Sequence, residues 1–280
     1  MFFTKVQGLG NDFVLVEAFD GWPTADPAEL ARLICDRHFG VGADGLVLLL
    51  PSNTADLCMR IWNADGSEPE MCGNAIRCVG KYAYERDICR RSEMAVETLA
   101  GVRQIRLHHE GDVVSAVTVD MGSPILDPER IPVQSRKSPA VLLPIFGQDE
   151  VYRVTAVSMG NPHAVVFVPD LAAIDLPRQG AFLERHPLFP RGTNVEFVQV
   201  IDPQLVKVLV WERGVGATLA CGTGACAVAV ASVLNGLTES ALTVELPGGP
   251  LQINWRNQQH VLMTGPARLV YTGEWPLQTE

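Results

Sequence analysis

Apolar residues in this chain gather in short runs separated by polar turns. Val14–Glu17, Leu46–Leu50, Cys58–Asn63, Val113–Asp120, Ala164–Val168, Val195–Val200 and Lys207–Glu212 are rich in Val, Ile, Leu or Phe and bounded by turn formers, which predicts β-strands. Ala267–Thr272 near the end of the chain reads the same way. Three segments predict helices instead. Asp26–Cys35 opens on Asp-Pro, a capping side chain followed by proline at the first helical position. Gly73–Glu85 and the Ala- and Val-rich Gly222–Leu234 each begin just after a cysteine, and the second stops at Asn235–Gly236. Many strands and few helices point to an α+β protein rather than a doubly wound one.

The two halves of the chain repeat one plan. Cys72 is followed by Gly-Asn-Ala-Ile-Arg-Cys and Cys221 by Gly-Thr-Gly-Ala-Cys-Ala, and 221 − 72 = 149. The same offset carries Trp62 onto Trp211, Asn63 onto Glu212 and Gly45 onto Asn194, while Gly10–Asn11 and Gly160–Asn161 differ by 150. A period this long implies two pseudo-symmetric domains rather than a solenoid. Residues 1–120, rejoined by the tail 267–280, form the first and carry Cys72; residues 121–266 form the second and carry Cys221. Pro124, Pro128, Pro132, Pro139 and Pro144 mark the connection between them.

Composition narrows the function. With 280 residues, 47% of them apolar, either domain can bury a core without disulfide or metal staples. The formal charge is −10, and no basic run exceeds the pair Arg90–Arg91, which argues against nucleic-acid binding. Lysine chemistry has few candidates: Lys5, Lys81, Lys137 and Lys207. The opening MFFTKVQGLGNDF is unlike an export signal, and no apolar run is long enough to span a membrane. The seven cysteines therefore read as reduced thiols of a cytoplasmic protein. C-x-x-C and C-x-C spacings are absent, which disfavours zinc.

Cys72 and Cys221 carry the chemistry. Each is expected at a helix N-terminus, where unpaired N–H groups and the positive end of the helix dipole favour negative charge. That placement predicts a lowered thiol pKa. It also predicts that the N–H groups at Gly73–Asn74 and Gly222–Thr223 hold a carboxylate, with Gly73 and Gly222 letting it approach the backbone. In a duplicated protein the two thiols would face each other across a ligand. One would remove a proton from a stereocentre and the other would return a proton to the opposite face: racemisation or epimerisation by two bases. Cys35, Cys58, Cys78, Cys89 and Cys226 read as packing residues.

At this level of detail the chain resembles the diaminopimelate epimerase family. Asn63–Arg77 (NADGSEPEMCGNAIR) is similar to the family's first-cysteine signature and Trp211–Ala227 (WERGVGATLACGTGACA) to its second. Gln7–Phe13 resembles the HGLGNDF opening with Gln7 in place of histidine; Gly160–Val165 (GNPHAV) and Gly192–Phe197 (GTNVEF) complete the set. The resemblance implies two domains, each a curved mixed or antiparallel sheet around a central helix. It implies interconversion of LL- and meso-2,6-diaminopimelate, without pyridoxal phosphate or metal, in lysine and peptidoglycan precursor synthesis. Cys221 would take the proton in the LL-to-meso direction and Cys72 would donate one. Gly73, Asn74, Gly222 and Thr223 would hold the reacting carboxylate. Asn63, Asn161, Asn194 and Arg213 would bind the far end of the substrate, and a guanidinium suits a carboxylate there. Glu212 and Asn11 would contact the ammonium groups or orient the site, and His163 would tune the thiols. Family members dimerise, and Tyr271 lies in the region associated with that contact.

Taken singly, these residues have plainer explanations. Asn63 in Asn-Ala-Asp-Gly suits a turn, His163 suits a structural histidine, and Glu212–Arg213 suits a surface pair. One departure stands out: some members place a substrate-touching glutamine where this chain has Gly45, which has no side chain to offer. Two other readings stay open on the residues alone. One is a proline racemase or hydroxyproline epimerase with the same two-thiol logic; the other is a non-enzymatic ligand-binding or redox-sensing protein.

Overall fold

The computed structural model describes residues 1–22, 26–147, 150–255, 257 and 259–276. In chain order the elements are β1 (Phe2–Gly8), β2 (Asn11–Glu17), α1 (Pro27–Ile34), β3 (Gly45–Leu50), β4 (Leu57–Asn63), α2 (Gly73–Glu85), β5 (Glu93–Thr98), β6 (Gly101–Glu110), β7 (Val113–Asp120), β8 (Leu143–Phe146), β9 (Val151–Ser158) and β10 (Pro162–Phe167). There follow α3 (Leu176–Glu184), β11 (Asn194–Asp202), β12 (Leu205–Glu212), β13 (Gly216–Thr218), α4 (Gly222–Leu234), β14 (Ala241–Leu246), β15 (Gly249–Asn254), β16 (Leu262–Gly265) and β17 (Arg268–Glu274).

Local chemistry explains the helix starts. The Asp26 carboxylate accepts from the N–H groups of Ala28 (2.9 Å) and Glu29 (3.2 Å), and Pro27 occupies the first turn of α1, where its missing N–H costs nothing. α2 and α4 begin after Cys72 and Cys221, both in extended backbone. α4 is apolar all round, and α2 is buried from Gly73 to Tyr84, so each needs cover on every side.

The chain divides into two compact units: Met1–Asp120 together with everything from Thr264 onward, and Met121–Met263. The tail rejoins the first unit as β17, antiparallel to β1, with Lys5 opposite Tyr271. Residues 277–280 of the expected tail lie outside the described residues.

In the first unit β1 pairs antiparallel with β2, β2 parallel with β3, β3 antiparallel with β4, β4 parallel with β5, and β5 antiparallel with β6. In the second unit β9, β10, β11, β12, β14 and β15 pair in the same alternation. The helices repeat as well. α1 and α3 fall between the parallel strands β2–β3 and β10–β11, and α2 and α4 fall between β4–β5 and β12–β14. Each unit is thus a mixed sheet around one buried helix, an α+β arrangement. In the first unit the sheet curls around α2, which touches β17 and β1 as well as β6 and β7. In the second, α4 packs on β9, β10, β11, β14 and β15.

The remaining helices cover the other sheet faces. Leu30, Ala31 and Ile34 of α1 pack with Val14, Leu46, Leu48 and Trp62. In the second unit Leu183 of α3 packs with Val195 and Phe197, and Trp211 flanks this cluster. Gly180 lets α3 lie against that indole: a Cβ there would come within 2.7 Å of Trp211. The Trp211 Nε1–H donates to Glu184 at 2.8 Å.

The helix α3 and the strands β1, β5, β6, β8, β9, β13, β14, β15 and β16 add to the segments expected from the sequence. No helix among the described residues is long and apolar enough to cross a membrane.

Candidate active site

The first unit gathers Cys72, Gly73, Asn74 and Asn11 at the start of α2. The Asn11 side-chain oxygen Oδ1 accepts from Asn74 Nδ2 at 3.0 Å and lies 3.8 Å from the Cys72 sulfur. Asn11 is itself held from behind, its Nδ2 donating to Asp44 at 2.8 Å. Arg37 bridges Asp44 and Asp12, and Lys5 pairs with Asp12 at 2.5 Å. Burial opposes the charged form of Asp12, but the Arg37 and Lys5 contacts prevail and hold its carboxyl below the usual range.

Arg77 braces the same helix start. It is fully buried, and it donates to the Gly73 carbonyl (3.0 Å), to Asn74 Oδ1 (2.9 Å) and to the Pro266 carbonyl (3.2 Å). With Oδ1 occupied by Arg77, the Asn74 amide has one orientation.

Asn63 stands apart from the sulfur cluster. It is exposed, its Nδ2 donates to Ser67 at 2.9 Å, and it lies opposite Gly45 across β3–β4. The turn it starts is tied to Asp44 through the Ala64 N–H at 3.1 Å. A Cβ at Gly45 would fall 2.7 Å from the Trp62 carbonyl oxygen, so this strand pair is built around a missing side chain.

The second unit gathers Cys221, Thr223, His163, Asn161, Asn194 and Glu212. The Cys221 sulfur accepts from the Gly224 N–H at 3.3 Å and lies 3.4 Å from the Thr223 hydroxyl. The expected lowering of this thiol's pKa does not hold: it is raised well above the ordinary cysteine value. Burial is the first cause and the charges of Glu212 and Glu196 follow, outweighing the Thr223 and Gly224 contacts. A helix N-terminus acts through partial charges, whereas here a thiolate would lose its water and face two carboxylates.

His163 and Glu196 are both fully buried, with Nδ1 and Oε1 2.7 Å apart, and His163 Nε2 lies 3.0 Å from Asn161 Oδ1. His163 sits opposite Asn194 in the β10–β11 register. Asn194 donates to the Pro162 carbonyl at 2.9 Å and accepts from the Arg213 N–H at 3.0 Å. The Arg213 side chain is exposed and donates to the Arg191 carbonyl at 3.1 Å. Glu212 accepts from the Thr218 hydroxyl at 2.7 Å.

Cys35, Cys78 and Cys226 are buried, Cys58 and Cys89 partly so, and burial pushes the Cys35 and Cys78 thiols up to about 12. All seven are free thiols. Among the described residues no group of His, Cys, Asp or Glu is placed to hold a metal ion.

The family pattern described as diaminopimelate epimerase matches residues 3–126 and 155–270, which include both cysteines and every candidate residue named above. The chain belongs to the diaminopimelate epimerase family. It is 55% identical over 280 residues to the diaminopimelate epimerase of Pelotomaculum thermopropionicum, covering all of both chains. To that of Acetivibrio thermocellus it is 53% identical, over 98% of each. As a member of this family it is an isomerase of the epimerase type, acting on a small molecule.

Solved structures with the same fold include a hydroxyproline epimerase from Agrobacterium vitis, at 18% identity and a TM-score of 0.73, over 98% of this chain and 91% of that one. A phenazine biosynthesis protein of the PhzF family from Bacillus anthracis matches at 15% identity and 0.74, over 99% of both. At such identities the likeness speaks for the fold alone.

Sequence reasoning missed Arg77 and Glu196 as parts of these clusters. Arg77 and Glu196 carried one available signal, a charged residue inside a run expected to be buried.

Proposed function

We propose that the protein interconverts LL- and meso-2,6-diaminopimelate, with Cys221 and Cys72 as the two acid/base groups, one contributed by each unit. The observation that carries this reading is the equivalence of the two thiols. Each is the N-cap of the buried helix in its unit, at the same place in a repeated strand order. A carboxylate held by N–H groups at the two helix starts would stabilise the negative charge that builds up at the adjacent carbon.

In the LL-to-meso direction the Cys221 thiolate takes the α-proton and becomes a thiol. The electron pair stays on the α-carbon, delocalised into its carboxylate, until the Cys72 thiol protonates the opposite face. Gly73, Asn74, Gly222 and Thr223 hold the reacting carboxylate, and Asn63, Asn161, Asn194 and Arg213 take the far end. Glu212, with Asn11, receives the ammonium groups. Its charge helps keep Cys221 protonated before substrate arrives. A substrate ammonium paired with Glu212 would offset that charge, so Cys221 would give up its proton to water more readily in the complex, against the opposition of burial and Glu196 that remains.

The same reading places the reaction in lysine and peptidoglycan precursor synthesis in the cytoplasm, in a homodimer formed through the face that carries Tyr271. The deciding experiment is a substrate comparison under reducing conditions. LL-diaminopimelate should be converted to the meso form, and L-proline and trans-4-hydroxy-L-proline should be left unchanged. Turnover of either imino acid in preference to diaminopimelate would overturn the reading.

A further inference from the structure

We propose that Glu196 is a positioning residue: through His163 it decides which end of the Asn161 amide faces the ligand. This rests on the reading of Asn161 as a contact to the far carboxylate of the substrate.

Glu196 is the third residue of β11, opposite Val165 of β10 and Val210 of β12, and it is fully buried. Such a strand position ordinarily holds an apolar side chain. Its Oε1 meets His163 Nδ1 at 2.7 Å, while its Oε2 is buried with no hydrogen-bond partner. His163 is its one ion-pair partner among the described residues. Glu196 acts on Cys221, at the start of α4, together with Glu212, at the end of β12, and neither of these two brings a positive charge; the Arg213 side chain is exposed and donates to the Arg191 carbonyl. A buried carboxylate so poorly satisfied is tolerated when a cation stands beside it.

The imidazole is the cation available. Its Nδ1 faces a carboxylate oxygen 2.7 Å away, an acceptor, so this nitrogen is the donor of the pair. Its other nitrogen, Nε2, faces Asn161 Oδ1 at 3.0 Å. Both ring nitrogens therefore meet acceptor oxygens, and both are satisfied only when the ring carries two protons.

That charge state fixes Asn161. With Nε2–H donating to Oδ1, the amide presents its NH2 end to the ligand, and an N–H donor is what a carboxylate takes. Were the ring neutral with Nε2 bare, the amide would turn over to donate to it, and its carbonyl would meet the ligand carboxylate. Glu196 thus selects a donor at Asn161 without touching substrate. The packing around it is close: a Cβ at Gly224 would lie 2.8 Å from Glu196 Oε1.

Nitrogen-15 NMR of the histidine-labelled, substrate-free protein at neutral pH reads the first half of the proposal. His163 should carry protons on both nitrogens, and Glu196→Gln should leave it singly protonated. A neutral His163 ring in the unaltered protein would overturn the proposal, and this measurement needs no folded variant. Kinetics read the second half. Glu196→Gln should raise KM for diaminopimelate by roughly tenfold or more; because the substitution also removes a charge that acts on Cys221, the effect is read in KM and not in kcat. On an Asn161→Ala background the same substitution should leave KM unchanged. An equal rise in KM on both backgrounds would show that Glu196 does not act through Asn161. Failure of the unaltered protein to turn over diaminopimelate would count against the functional reading, while the NMR result would still decide the state of His163.

Discussion

Cys221 illustrates how one residue's setting can reverse the first expectation about it. A thiol at a helix N-terminus reads as acidic, yet burial and two neighbouring carboxylates push this one the other way. In the substrate-free protein Cys221 is a thiol at neutral pH, and its alkylation by iodoacetamide should be slow there and quicken as pH rises into the alkaline range. Glu212→Gln removes a like charge from beside the nascent thiolate, so it should speed alkylation several-fold at a fixed neutral pH. Peptide mass spectrometry of the modified cysteine gives the rate, and a slower rate in the variant would refute the assigned role of that charge. Each thiol, Cys72 and Cys221, is expected to lose activity by about 10²–10⁴-fold or more on replacement by alanine, with the fold retained.

These residues differ in how far the sequence alone exposes them. Both cysteines stand out because glycine and a small polar residue follow each, a combination that suits a helix start open to a ligand. Glu196 and Arg77 do not stand out, since their roles depend on which strand or helix face lies against them. Gly45 is legible as an absent side chain, but the nearby Trp62 carbonyl that excludes one is not.

Among the elements, α2 and α4 are legible to the residue, because the sequence supplies a capping position, an apolar body and, for α4, a clear stop at Asn235–Gly236. The helix α3 is not. Its nine residues include Gly180, a poor helix former, and only packing explains it: the glycine admits Trp211. Strands such as β5, β6 and β15 carry polar residues on one face, and short alternations of that kind are easily read as loops.

Two substitutions test the helix starts. Gly224→Ala should improve intrinsic helix propensity by about 1 kcal/mol. Yet its Cβ would press within 2.8 Å of Glu196 and 3.2 Å of the Cys221 sulfur. The expected outcome is a fall in kcat/KM of roughly tenfold or more without a lowered unfolding midpoint. Unchanged kcat/KM would show that the crowding is relieved without affecting the site. Arg77→Ala removes the two contacts that brace the first residues of α2, to the Gly73 carbonyl and Asn74 Oδ1, and the one that ties the helix to the Pro266 carbonyl. It should cost about 2–4 kcal/mol in urea unfolding, since buried acceptors lose a charged donor. A cost below about 0.5 kcal/mol would be that of an ordinary surface residue.

The whole molecule is one plan used twice. The alternation of antiparallel and parallel pairs and the placement of the buried helix recur from one unit to the other. Offsets of 149 and 150 residues between the motifs make the duplication visible in the sequence. The return of the tail as β17 is visible only as a strand-like segment, because its partner β1 lies at the other end of the chain.

Buried thiols also give the molecule a pH response. Cys35 and Cys78 titrate near 12 when folded, against an ordinary value of 9.0. A folded pKa raised above the unfolded one contributes stability below the unfolded value and loses it as pH climbs toward the folded one. Unfolding midpoints should therefore fall between about pH 9 and 12, by at most about 1.4 kcal/mol per pH unit for each thiol. The Cys35→Ala/Cys78→Ala protein should show a shallower fall across that window. An identical slope would assign the alkaline loss to other groups.

The central claim is that one thiol removes a proton and a different thiol supplies one. It is tested most directly by running the reaction from LL-diaminopimelate in heavy water and analysing the first few per cent of turnover. The meso product should carry deuterium at the inverted carbon while the recovered LL substrate remains unlabelled. Meso product that keeps its original hydrogen would mean that a single group lifts and returns the proton, and the two-thiol account would be wrong.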